Sequence, residues 1–330
     1  MPPLFLALLI LALVFDFLNG FHDSANIVAT VIASRALHPR VALLLAAASE
    51  FAGPFLFGVA IATTVGEELL NLDILGLQVI IAALVAAVAW NLITWYLGIP
   101  SSSSHALLGG LLGAGVVSGG LAIVRLSGLV KILLALLISP IAGLIVGFLL
   151  MRLTLWSVRR ATPSINQLFR RVQVATLIGL GLSHGTNDAQ KTMGVITMGL
   201  VAAGMQDRFA VPTWVIALSA GSIALGISLG GWRLIRTLGA RMFRIRPVHG
   251  FTSQLSGAAV ILGAALLGGP VSTTQVMSST IMGSGAGERI NKVRWGILRD
   301  MAVAWALTIP ITAGLAGLAY LLLTRLAPAQ

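Results

Sequence analysis

Asn19-Gly20-Phe21-His22-Asp23-Ser24-Ala25-Asn26 lies between two apolar runs, residues 3–18 and 25–33. A carboxylate, an imidazole and two carboxamides thus sit where hydropathy expects lipid. Ionisable groups at that depth are costly unless they face a partner or a wet cavity, so they read as functional. The chain repeats the arrangement in Ser183-His184-Gly185-Thr186-Asn187-Asp188-Ala189-Gln190-Lys191. Gly20 aligns with Gly185, Asp23 with Asp188 and Asn26 with Lys191, all at an offset of 165, half of the 330 residues.

Outward from these motifs, 57% of the residues are apolar and 9% charged, against about 25% charged in an ordinary soluble domain. With 37 glycines, this composition indicates a polytopic helical membrane protein in which small residues allow close helix packing. No cysteine is present, which removes disulfide and thiol chemistry. The net charge of +11 comes from basic residues clustered in short loops, which points to orientation in a membrane rather than to nucleic acid. The apolar N-terminus has no basic region before it and no small-residue cleavage site before Asp23, so it is expected to stay.

The run 3–34 would measure about 48 Å as one straight helix, too long for one comfortable span. A broken helix, unwound near Gly20, is therefore expected, as is a plain span from Val41 to about Thr64 carrying Glu50. The apolar stretch 77–120 is interrupted at Pro100-Ser101-Ser102-Ser103-Ser104-His105, and 250–283 at Pro270-Val271-Ser272-Thr273-Thr274-Gln275, an offset of 170. Each reads either as two spans or as a re-entrant hairpin. Further spans are expected at 132–151, 172–204, 211–231 and 301–323.

With the loops 35–40, 152–171, 232–249 and 284–300 placed in the cytoplasm, most of the 21 basic residues lie inside, and both termini lie outside. Each half then makes an odd number of net crossings. The fold class is all-α and polytopic, with two inverted-topology repeats, 1–171 and 172–330, broken helices and, where the hydroxyl turns are tips rather than ends of full spans, re-entrant hairpins. That architecture places a site at the repeat interface near the midplane.

Asp23 and Asp188, at equivalent positions beside glycine and carboxamide, suggest a shared central site rather than two structural acids. An ionised carboxylate accepts a hydrogen bond from a protonated oxyanion, whereas fully deprotonated sulfate offers none. Ser102, Ser103 and Ser104, with Ser272, Thr273 and Thr274, read as helix N-caps; inside a membrane such helix ends present free N–H groups to an anion. His22, His105 and His184 divide evenly between packing and proton handling. Glu50, whose repeat partner is Leu218 if Gly53 is matched to Gly221, is either a proton carrier or a structural hydrogen-bond partner, as is Asp16. Trp90 is a packing residue. Lys191 either contacts the anion or fills the place of a coupling cation; an outward-turned lysine is the bland alternative.

These motifs resemble the inorganic phosphate transporter family, the PiT type. The resemblance covers all four motifs, in order, across the whole chain. It implies electrochemically driven import of phosphate with H⁺ or Na⁺, as the free anion or as a neutral metal–phosphate complex. It further implies that Asp23, Asn26, Asn187, Asp188, Ser102 to Ser104 and Ser272 to Thr274 line the phosphate and ion sites. To these the residue reading adds Lys191 at the substrate and Glu50 and His22 at the coupling ion. No cofactor, resident metal or nucleic-acid partner is expected. The expected surroundings are the lipid of a prokaryotic plasma membrane, with a homo-oligomer left open. Departures from the family pattern are His22 and Lys191, where many members carry Asn, Gln275 in place of His, and Gln254 in place of Glu. Rival readings are a sulfate or other oxyanion symporter, an intramembrane serine hydrolase using Ser104, His105 and Asp23, and a passive channel.

Overall fold

The computed structural model describes residues 2–99, 101–232, 235 and 245–326. Pro100 and the loop arginines 233, 236, 241 and 244 lie outside them. The regular elements are helical: α1 (Pro3–Ala33), α2 (Pro39–Phe57), α3 (Ala60–Gly66), α4 (Leu77–Leu97), α5 (Ser103–Gly119), α6 (Leu126–Ser157), α7 (Ile165–Ala202), α8 (Thr213–Leu229), α9 (Pro247–Leu266), α10 (Thr273–Glu288) and α11 (Trp295–Leu326). By length and composition, α1, α2, α4, α5 with its following turn, α6 and α11 can each cross a membrane. α8 is a shorter apolar helix.

α1 is continuous through Gly20, contrary to the expected break, and α7 is likewise continuous through its polar motif. A helix of 31 residues is about 46 Å long, and tilt accommodates the excess over the hydrocarbon thickness. Asn19, Asp23 and Asn26 of its polar motif find partners on α5 and α10, so nothing there requires the backbone to unwind.

The break falls in the expected plain span instead. α2 ends at Gly58, whose φ of 81° lies in the left-handed region that favours glycine, and α3 starts two residues later. The freed backbone groups are satisfied by Gln190 of α7. Its Oε1 accepts from the Ile61 and Ala62 N–H groups at 2.8 and 3.3 Å, and its Nε2 donates to the Gly58 carbonyl at 2.6 Å. A similar stop follows α8, where Gly230 has φ 71° and the Gly231 N–H donates to Ser24 Oγ of α1 at 2.8 Å.

The packing repeats when the two halves are exchanged. α1 packs on α8 as α7 packs on α2; α5 packs on α11 as α10 packs on α6; α4 packs on α11 and α1 as α9 packs on α6 and α7. Both large apolar cores draw side chains from both halves: Phe15 and Ile223 share one, Ala46 and Leu177 the other. Both α6 and α11 carry an internal proline, Pro140 and Pro310, at an offset of 170.

Glycine contacts set the register of α2 against α8. A Cβ on Gly53 would meet the Leu182 carbonyl and the Thr186 nitrogen; one on Gly226 would meet the Phe17 carbonyl and the Phe21 nitrogen, the same positions less 165. Similarly, Gly185 abuts the Glu50 carbonyl and Gly20 the Ile223 carbonyl. Gly53 therefore corresponds to Gly226, not Gly221, and the partner of Glu50 is Ile223 rather than Leu218. Matching glycines by spacing alone misplaced the register because Gly221 faces open space.

At the loop end of α10, Glu288 bonds Arg246, His249 Nε2 at 2.8 Å and Lys292 Nζ at 2.8 Å. Burial alone would raise its pKa; the hydrogen bond from Lys292, with His249 and the Arg246 guanidinium beside it, outweighs burial and holds the carboxyl at about 2, below its ordinary 4.5.

Two outcomes follow. Gly53→Ala and Gly226→Ala each force helix backbones apart and are expected to cost about 1–3 kcal/mol, with Gly221→Ala within ~0.5 kcal/mol of the parent; detergent melting curves of the three variants check it, and the reverse order would restore the first register. Because the Glu288 pKa is depressed on folding, its stabilisation is present above pH 4.5 and fades as pH falls toward 2. The melting-temperature gap between the parent and Glu288→Gln should therefore close across that window.

Candidate functional site

Asn19, Asp23 and Asn26 stand at i, i+4 and i+7 on α1, and His184, Asp188 and Lys191 at the same spacing on α7. Each trio therefore shares one helix face, and the two faces meet where the N-termini of α5 and α10 arrive. Ser102 and Ser272 cap those ends, accepting from the His105 and Gln275 N–H groups at 3.2 and 3.4 Å. All of these side chains are buried.

Thr273 Oγ1 lies 2.9 Å from Asp23 Oδ2 and 2.8 Å from Asp188 Oδ2. Thr274 Oγ1 donates to Asp23 Oδ1 at 3.0 Å, and Asn26 Nδ2 donates to the same oxygen at 2.6 Å. On the other side, Lys191 Nζ donates to Asp188 Oδ1, to Ser104 Oγ at 2.6 Å and to the Val271 carbonyl at 2.8 Å. Ser103 Oγ donates to Asn19 Oδ1 at 2.5 Å, and the Val271 N–H to Asn187 Oδ1 at 3.3 Å. Two carboxylates from different halves thus converge on one hydroxyl, which has a single proton to donate. The second contact needs a proton of its own or a positive charge close by, and His184 Nε2 and Lys191 Nζ stand beside these carboxylates.

His184 stands at the centre. Its Nδ1 is 2.5 Å from Glu50 Oε1, and its Nε2 is 3.4 Å from Asp188 Oδ2 and 3.6 Å from Asp23 Oδ2. The Glu50 backbone lies against Gly185, where any Cβ would come within 2.3 Å of the Glu50 carbonyl oxygen, so glycine there lets α2 deliver its carboxylate. Oxygen and nitrogen atoms of Asp23, His184 and Asp188 lie within 4.8 Å of one another, a spacing that suits a cation. Asp16 is buried two turns before Asp23 on α1, and neither of its oxygens has a hydrogen-bond partner among the described residues.

The structure therefore gathers Asp23, Asn26, Ser103, Ser104, Asp188, Lys191, Thr273, Thr274 and Glu50 into one cluster, with Ser102 and Ser272 as caps and Asn187 at its edge. His22 is buried but forms no ion pair among the described residues, and its Nε2 has no hydrogen-bond partner. Gln254 accepts from Thr176 and lies outside the cluster. Asn19 and Gln190 were not singled out from the sequence as site residues, and His184 was left between packing and proton handling. The spacing of His184 and Asn19, four residues before each aspartate, was the available signal.

The matching family model, described as the phosphate transporter family, covers residues 19–316. The chain belongs to that family. Among similar proteins, one from Bacillus subtilis (strain 168) is 45% identical over 323 residues, covering 97% of each chain. Another, from Rhizobium meliloti (strain 1021), is 42% identical over 320 residues, covering 96% of each. Both are named probable low-affinity inorganic phosphate transporter. A solved structure titled "The sodium-dependent phosphate transporter" matches with a TM-score of 0.88 over 98% of this chain and 99% of that one, at 23% identity, a likeness of fold.

This is a family of transporters, not enzymes. The hydrolase reading fails on geometry as well: Ser104 bonds Lys191 and Val271, while His105 Nδ1 pairs with Ser102 at 2.7 Å. Thr273→Val, which removes the shared hydroxyl at nearly constant volume, is expected to destabilise the protein by about 1.5–3 kcal/mol through hydrogen bonds lost to charged groups. Thr273→Ser should recover most of that, as read by thermal melting.

Proposed function

We propose that the chain is a secondary active symporter that imports inorganic phosphate across a prokaryotic plasma membrane, driven by H⁺ or Na⁺. The observation that carries this reading is the convergence of Asp23 and Asp188 on the Thr273 hydroxyl. One hydroxyl proton cannot serve both carboxylates, so the pair offers a place for a coupling proton or cation. Phosphate near neutral pH still carries protons, so its P–OH group can donate to a carboxylate while the α5 and α10 N-termini receive its bare oxygens. The cation-sized grouping of Asp23, His184 and Asp188 supports a hard cation arriving with the anion, either alone or as a metal–phosphate complex.

Residues 1–171 and 172–330 act as inverted repeats in this reading. The exchange-invariant packing and the glycine register support it. The turns before α5 and α10 act as tips of re-entrant hairpins, supported by their contacts with Asn19 and Asp188 midway along α1 and α7. Alternating access rocks one repeat-derived bundle against the other around the shared cluster. Both termini face outward, from the distribution of basic loops.

Radiolabelled phosphate uptake into proteoliposomes, with a proton or a sodium gradient imposed separately, tests the reading. Accumulation under one gradient, reduced at least about tenfold in Asp188→Asn, is the expected result. Accumulation of sulfate without phosphate would transfer the site to the other oxyanion. Phosphate equilibration without concentration under either gradient would indicate a channel.

A further inference from the structure

Asn26 and Lys191 occupy equivalent positions, three residues beyond Asp23 and Asp188. Their nitrogens make equivalent contacts. Asn26 Nδ2 donates to Asp23 Oδ1 and, at 3.1 Å, to Thr274 Oγ1 of α10; Lys191 Nζ donates to Asp188 Oδ1 and, at 2.6 Å, to Ser104 Oγ of α5. Thr274 and Ser104 are themselves equivalent, at the offset of 170.

The chemistry at the two positions differs. A carboxamide is neutral and offers an oxygen as well as a nitrogen; an ammonium carries a full charge, has three donors and no acceptor. All three donors of Lys191 are taken by protein oxygens: the Asp188 carboxylate, the Ser104 hydroxyl and the Val271 carbonyl at 2.8 Å. None is left for a phosphate oxygen, and the side chain is only 3% exposed, which excludes an outward-turned lysine. Carboxylate, hydroxyl and carbonyl oxygens around one positive charge form the oxygen set that hard cations take.

We propose that the Lys191 ammonium is a tethered cation: it permanently fills the cation position of the Asp188 half of the site, so that this half takes no exogenous cation. The proposal rests on the reading of this cluster as the ion-coupled transport site. A cation that cannot leave carries no gradient energy. The number of ions moved per phosphate is therefore one fewer than two equivalent halves would give. The neighbourhood agrees with a built-in charge, because the other groups that face Asp188 are also peculiar to this half: His184 corresponds to Asn19, and Glu50 to Ile223.

The test counts bound ions on purified protein with ²²Na⁺ at saturating concentration, in parallel with ³²P-phosphate binding. Lys191→Asn removes the ammonium and offers an amide oxygen where Asn26 has one. It is expected to bind one more Na⁺ per chain than the parent, while Lys191→Arg, which keeps the charge, binds the parental number. An unchanged count in Lys191→Asn would overturn the proposal. A second arm leaves Lys191 in place: Asn26→Lys, which gives the Asp23 half the same tether, should bind one Na⁺ fewer than the parent, and an unchanged count would also overturn the proposal. A parent that binds no phosphate would sink the transport reading, while the Na⁺ counts still decide the role of the lysine.

Discussion

Two buried carboxylates on opposite halves of the chain share one hydroxyl, and much of the packing is arranged to make that tolerable. Asp23 cannot be satisfied within its own half: its hydroxyl partners, Thr273 and Thr274, come from α10. Lys191 likewise takes Ser104 from α5, in the other half. An ionised group in a low-dielectric interior is strongly destabilising without such partners. The polar cluster therefore forms only as the halves interleave, which is consistent with apolar cores that draw on both. Glycine completes the arrangement, since helices bring carboxylates and imidazole within reach of one another only where backbones nearly touch, as at Gly20, Gly53, Gly185 and Gly226.

The two halves share a frame but not an electrostatic character. Around Asp23 the partners are hydroxyls and carboxamides; around Asp188 stand Lys191, His184 and, behind the imidazole, Glu50. The frame is conserved between halves where packing demands it, at the glycines, the internal prolines and the hydroxyl turns. It diverges where only charge is at stake. In the proposed reading, one side is able to exchange a cation and the other has its charge covalently supplied.

The motifs, the offsets of 165 and 170 and the hydroxyl turns were legible because each is local: a polar residue in an apolar run, or a proline followed by hydroxyls. Helix existence was equally plain, and α4 to α5 and α9 to α10 break where the hydroxyl turns stand. The break within α2–α3 was hidden because its cause is remote. Gly58 alone would not end a helix; Gln190, from α7, stabilises the freed groups. α1 was misread for the complementary reason, since its length suggested unwinding while its partners on α5 and α10 were invisible in sequence. The pairing of Glu50 with His184 depends on the register of α2 against α7, which near-equal glycine spacings left ambiguous.

An anion site built on acids and hydroxyls, with its lysine already engaged, differs in kind from one built on arginine. Bidentate guanidinium contacts hold an oxyanion strongly and in one geometry, which suits retention. Under the proposed symport, the attraction comes from helix N-termini and from whatever proton or cation the two aspartates take up, so affinity for the anion rises when the coupling charge is present and falls when it leaves. Binding of the two is then linked through the shared Thr273 contact, each favouring the other by the same free energy. Such reciprocity requires that the site be poor for phosphate on its own. A carboxylate pair with one proton too few, 2.8 and 2.9 Å from a common hydroxyl, meets that requirement directly.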